Sequence, residues 1–87
     1  MFKFIAVNND HGWAKGVTLE EARTRSLTHG RRATMARVWE IADGKADEAR
    51  VDGMGVVYNV KPDTVRDFKR AKSTSRKWEA VPHDPNA

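Results

Sequence analysis

Lys61–Lys77, KPDTVRDFKRAKSTSRK, is the stretch on which the fold turns. Pro62 suits the first turn of a helix, where its missing amide costs nothing, and Asp63 beside it complements the positive end of the helix dipole. Val65, Phe68 and Ala71 or Lys72 then recur at helical spacing, with Arg66, Lys69, Arg70 and Ser73 on the opposite side. The pattern predicts a helix with an apolar inner stripe and a basic outer one, broken by Ser73-Thr74-Ser75. Seven of the chain's sixteen basic residues lie here (Lys61, Arg66, Lys69, Arg70, Lys72, Arg76, Lys77), against Asp63 and Asp67.

Working outward, Met54, Val56, Tyr58 and Val60 alternate with Gly55, Val57 and Asn59. That is the period of a strand, entered through Asp52-Gly53. Ala33–Ala42 reads two ways. Met35, Val38, Trp39 and Ala42 fit a helical stripe, while Arg37–Ile41 has the β-branched and aromatic content of a strand and runs into the turn signal Asp43-Gly44; strand is the preferred reading. Lys45–Arg50 reads as an exposed loop or a turn of helix. Thr18-Leu19-Glu20-Glu21 is a capping box, with Val17 placed as a hydrophobic staple, Gly30 as the stop, and Arg23, Arg25 and His29 towards the negative end of the dipole. Before it, Phe2–Asn8 reads as a strand, Asn8–Gly12 as a turn, and Trp13–Gly16 can return as a short second strand. On the other side, Lys77–Val81 forms a last strand. Residues 82–87, with two prolines and no apolar anchor, read as a flexible tail.

The order is therefore β-α-β-β-α-β over a single domain, 1–81. Its simplest architecture is an α+β two-layer sandwich: a four-stranded antiparallel sheet with two helices on one face, the ferredoxin-like arrangement.

Composition limits the rest. The 87 residues include nine Val, three Phe, two Leu and two Ile against eleven Ala, a thin supply of core material to which three Trp and three Met add bulk. A domain this small is marginal, and self-association into a homodimer would bury surface that its core cannot. The absence of cysteine removes disulfide and thiol chemistry and suits a reducing compartment. No apolar run approaches the ~20 residues needed to span a bilayer, and Met1–Val7 is short for a signal peptide, so a cytoplasmic protein without membrane contact is expected. A net charge of +4 and a pI near 9.8 favour acidic partners. The charge is uneven: residues 61–77 are strongly basic, while 38–60 carry Glu40, Asp43, Asp47, Glu48 and Asp52 against Lys45 and Arg50.

The candidate contacts follow from this distribution. Arg66, Lys69, Arg70, Arg76 and Lys77 could neutralise phosphates or carboxylates, with Trp78 as a stacking plane; the same residues would also serve as a solvated helix face. Arg31 and Arg32 extend a second cluster begun by Arg23 and Arg25, of the residue type suited to bidentate anion contact. Its plainer reading is compensation of the helix dipole. Trp13 stands in a Gly-flanked polar turn and is the tryptophan most open to a binding role, whereas Trp39 and Trp78 read as core. His11, His29 and His83 have no metal-ligand spacing, and no constellation suggests an enzyme or a cofactor site.

Two resemblances bear on function. The topology and Gly53-Met54-Gly55-Val56-Val57-Tyr58 resemble an RNA-recognition motif, but Met54 and Val56 stand where its stacking aromatics belong, Ala6 replaces the aromatic of the first strand, and Asp52 replaces a basic residue. The analogy implies the fold without the RNA platform. The run GWAKGVTLEEA (Gly12–Ala22), leading from an opening strand into a capped helix in a short cysteine-free chain, resembles small phage and mobile-element accessory proteins. Its helix entry, Gly16–Ala22, is similar to that of HicB-type antitoxins. That resemblance implies a non-enzymatic binder that blocks a host target, such as a component of a CRISPR or other defence complex. The expectation is thus a phage-type inhibitor that occupies an acidic surface of a host protein or ribonucleoprotein complex, with a direct DNA- or RNA-binding regulator as the alternative.

Overall fold

A computed structural model describes residues 1–83, so residues 84–87 of the expected tail lie outside the described residues. The chain forms β1 (Phe4–Asn8), β2 (Trp13–Gly16), α1 (Leu19–Ser26), β3 (Met35–Glu40), β4 (Arg50–Val51), β5 (Val57–Tyr58), β6 (Arg66–Lys69) and β7 (Glu79–Val81). Five of the strands make one antiparallel sheet in the order β2-β1-β3-β6-β7, and β4 pairs with β5 in a separate hairpin.

The sequence at β1 explains why helix and hairpin take opposite faces. Strand alternation sends Phe4, Ala6 and Asn8 one way and Ile5 and Val7 the other. On the first face, Ala6, Val38 and Phe68 pack with Ala22 of α1, flanked by Phe4, Leu19 and Trp78. On the second, Ile5, Ile41 and Ala49 form another core with Trp39, Val51, Val57 and Val60, so the hairpin covers this end of the sheet. The small apolar inventory is divided between two shallow cores.

The helix starts where its cap predicts. Thr18 Oγ1 accepts from the Glu21 amide at 3.0 Å, and Glu21 Oε1 reaches back to the Val17 amide at 3.2 Å, one residue before the Thr18 amide that the capping box calls for. Its first contact with the sheet is close, since a Cβ on Gly16 would run into the backbone of Ala22. Past Ser26 the chain tightens into a 3₁₀ turn, Leu27–His29, before Gly30. There a side chain would collide with Asn8. Buried Asn8 fastens this corner: its Nδ2 donates to Ser26 O (3.0 Å) and Gly30 O (3.3 Å), and its Oδ1 accepts from the amides of Asp10 and Gly12, both at 2.9 Å.

The ferredoxin-like expectation is overturned. Lys61–Lys77 holds no α-helix; Pro62–Thr64 is a single 3₁₀ turn, and Val65 leaves it in extended conformation (ψ 134°) to enter β6. The site that captures this segment is the free side of β3, where Met35, Ala36, Arg37 and Val38 pair with Lys69, Phe68, Asp67 and Arg66. Phe68 enters the core under the helix. Asp67 faces the other way and is held by Arg37 and His83. At its centre β6 therefore buries two adjacent residues, Asp67 and Phe68, on opposite faces, and such a pair lacks the alternation that would mark a strand.

The strand expected over Met54–Val60 is likewise confined to Val57–Tyr58 and a bridge between Val60 and Ile41. Met54–Val56 is the tip of the hairpin, with Gly55 at φ +85° and Met54 91% exposed. Asp52 organises the tip, accepting from the amides of Met54 (2.9 Å) and Val56 (3.0 Å) and from Tyr58 Oη (2.8 Å). Hydrogen bonding to Asp52 raises the Tyr58 pKa, and the same bond is the main cause of a lowered Asp52 pKa. With the Gly53–Tyr58 segment in a hairpin outside the sheet, the analogy with an RNA-recognition motif falls as well.

Candidate partner-binding end

Antiparallel pairing brings three connections to one end of the sheet: the β1–β2 turn, the Gly30–Thr34 loop ahead of β3, and the β6–β7 loop from Arg70 to Trp78. The first two are tied by the Asn9 side chain, whose Oδ1 accepts from the amides of Thr34 (2.9 Å) and Met35 (3.1 Å), and by Asp10 Oδ2, which accepts from the Arg32 amide at 3.1 Å. The third is joined to them through Arg70. Its backbone amide donates to Thr34 O at 2.9 Å. Its guanidinium donates Nε to Ala33 O (2.7 Å), Nη2 to Arg31 O (3.0 Å) and Nη1 to Ser75 O (2.9 Å).

Arg70 is therefore a structural pin, 9% exposed, where the sequence suggests a fully exposed basic side chain. Its guanidinium also lies over the Trp78 ring, 4.8 Å from the centroid, where Arg23 approaches to 5.5 Å. Arg23 covers Phe68 in addition, at 4.8 Å. Burial lowers the Arg23 pKa against the opposing pull of Glu20. Trp78, expected as core or as a stacking plane, is half-buried and already covered by two cations.

The pin orders a strongly basic surface. Arg31 and Arg32 on one loop, and Lys69, Lys72, Arg76 and Lys77 on or beside the other, are all exposed. Among the described residues none of these six pairs with a carboxylate; the ion pairs are Arg25–Glu21, Arg37–Asp67, Lys61–Asp43 and His83–Asp67. A cavity of about 370 Å³ opens between Lys69, Arg70, Ser75, Lys77 and Glu79. Two clusters separated by more than thirty residues of sequence thus share one end of the molecule, while the acids Asp43, Asp47, Glu48 and Asp52 belong to the hairpin and the loop leading into it.

Arg66 and Trp13 do not join this surface. Arg66 is exposed on the helix side of β6 and lines a different cavity with Phe4, Leu19, Val38 and Thr64. Trp13, 36% exposed, opens the edge strand β2 opposite Val7, at the far side of the sheet from β6 and β7. It borders a cavity with Phe2, Arg25, Thr28 and His29.

A polar network that the sequence did not signal lies on the sheet face opposite the helix. Arg37 grips Asp67 with Nε–Oδ1 at 2.7 Å and Nη2–Oδ2 at 3.2 Å, and His83 Nδ1 lies 2.9 Å from Asp67 Oδ2. Burial opposes ionisation of Asp67, but the hydrogen bonds from Arg37 and His83 outweigh it and hold the carboxyl below its ordinary pKa. The bond to Asp67 correspondingly raises that of Arg37. Beside this network a shallow groove of about 250 Å³ runs past Val7, Met35 and Trp39 to Gly55 at the hairpin tip. Compared with known proteins, the chain matches no family model, no curated protein and no solved structure.

Proposed function

We propose that this chain is a non-enzymatic binding protein that works by occupancy, laying its basic end on an acidic surface of a host protein or ribonucleoprotein complex. The setting that fits this reading is a phage-type inhibitor of a host defence complex. The observation that carries it is the convergence of Arg31, Arg32, Lys69, Lys72, Arg76 and Lys77 on two loops locked together by Arg70, none of the six in an ion pair among the described residues. A set of cations held on an ordered frame loses little freedom on docking and steers approach to a negative face. Trp78 is covered by Arg23 and Arg70, which favours a charged protein face over a stacking platform for unpaired bases.

The test is affinity capture from host cells, followed by reconstitution with the purified partner. Arg31→Glu/Arg32→Glu/Lys77→Glu is compared with Lys3→Glu/Lys45→Glu, which reverses charge elsewhere. Loss of binding in the first variant alone, with its melting temperature preserved, supports the reading. Equal binding by both variants overturns it, as does tight, steeply salt-dependent binding to bare DNA or RNA with no protein partner.

A further inference from the structure

Arg70 presents an unusual charge balance. A guanidinium is a permanent cation, and a buried charge is ordinarily matched by an opposite one. Arg70 is 9% exposed, yet its partners are three backbone carbonyls, and among the described residues no carboxylate pairs with it. Those carbonyls engage three of the five N–H groups that a guanidinium carries, which leaves two able to donate. Arg70 also lines the cavity of about 370 Å³, together with Lys69, Ser75, Lys77 and Glu79. Ser75 Oγ accepts from the Lys72 amide at 3.1 Å, so its own proton is free to donate.

We infer that this cavity is a phosphate-binding site that takes a phosphate monoester or inorganic phosphate as the missing counter-ion of Arg70. The surrounding charges fit that ligand in number as well as sign. Lys69, Arg70 and Lys77 against Glu79 leave two positive charges, the match for a phosphate dianion, whereas a carboxylate or a phosphodiester brings one negative charge. The guanidinium offers directed donors, the lysines mobile point charges, and Ser75 a hydroxyl donor. The site goes beyond the proposed function, because it specifies a chemical group and is testable without the partner.

The experiment is an NMR titration of the isotopically labelled full chain with inorganic phosphate at constant ionic strength. Saturable shifts centred on Ser75, Lys77 and the Arg70 Nε–H are expected. Lys69→Gln/Lys77→Gln should weaken binding about tenfold, whereas Lys3→Gln/Lys45→Gln, with the same loss of charge elsewhere, should stay within about twofold of the parent. Binding should also weaken between about pH 7.5 and 5.5, as the dianion takes up a proton. A short oligothymidylate with and without a 5′-phosphate distinguishes the source: tighter binding of the phosphorylated form supports a monoester site, and equal binding overturns it. Linear, unsaturating shifts, or equal losses in both lysine variants, would also overturn the assignment. Either negative result leaves the Arg31/Arg32/Lys77 capture test standing on its own.

Discussion

Replacing Arg70 by methionine removes the side chain that joins the two basic loops while keeping much of its length. The change deletes three hydrogen bonds from a charged donor, to Ala33 O, Arg31 O and Ser75 O. Each contributes about 1.5 kcal/mol. The guanidinium over Trp78 adds about 0.5 kcal/mol, for a gross loss of about 5 kcal/mol. Relief from burying a cation that pairs with no carboxylate among the described residues returns about 2 kcal/mol, so the net destabilisation is about 3 kcal/mol. For a domain of this size that corresponds to a fall in Tm of about 15 °C. Urea unfolding followed by tryptophan fluorescence measures it directly. Arg70→Lys should recover less than half of the loss, because one ammonium cannot reach three carbonyls held in a fork. If Arg70→Met unfolds within about 1 kcal/mol of the parent, the loops are held by something else and the basic end is not the pinned surface described above.

Other perturbations probe the rest of the frame. Asp67 has a folded-state pKa below its unfolded one, so its contribution is present above the unfolded value and is lost as pH falls through the folded one; stability should decline from about pH 4 downward. Asp67→Asn should cost about 2 kcal/mol at neutral pH, and the difference from the parent should shrink in acid, as read from urea midpoints at pH 6 and pH 3. Asn8→Ala leaves the Asp10 and Gly12 amides without their acceptor and takes a donor from the Ser26 and Gly30 carbonyls; a loss of about 3 kcal/mol is expected by the same assay. Gly16→Ala forces a methyl into the Ala22 backbone and should lower Tm by about 10 °C through loss of close helix–sheet packing.

Local chemistry was legible where it acts over a few residues. Thr18 and Glu21 announce the helix start, Arg37–Ile41 carries strand composition, Trp13–Gly16 returns from its turn as the short strand it could form, and the turns at Asn8–Gly12 and Asp43-Gly44 stand where Gly, Asn and Asp place them. The Lys61–Lys77 segment misleads because Val65 and Phe68 satisfy a helical period, while the reasons for an extended β6 lie about thirty residues away. Asp67 can be buried on a strand only because Arg37 is opposite it, and neither residue alone signals the other. Arg70 is harder still. Its three acceptors are main-chain carbonyls, which have no residue identity to read, so a structural arginine looks like one more basic residue. The Met54–Val60 alternation failed for a local reason: Gly55 at positive φ turns the chain where the pattern would carry it straight on.

Hydrogen exchange of the protein with and without its captured partner tests the central claim most directly. Binding should slow exchange across residues 30–34 and 70–78 and leave the hairpin at 50–58 unchanged. Protection confined to the hairpin tip, or to the Val7–Met35–Trp39 groove, would place the contact on another face and contradict the account.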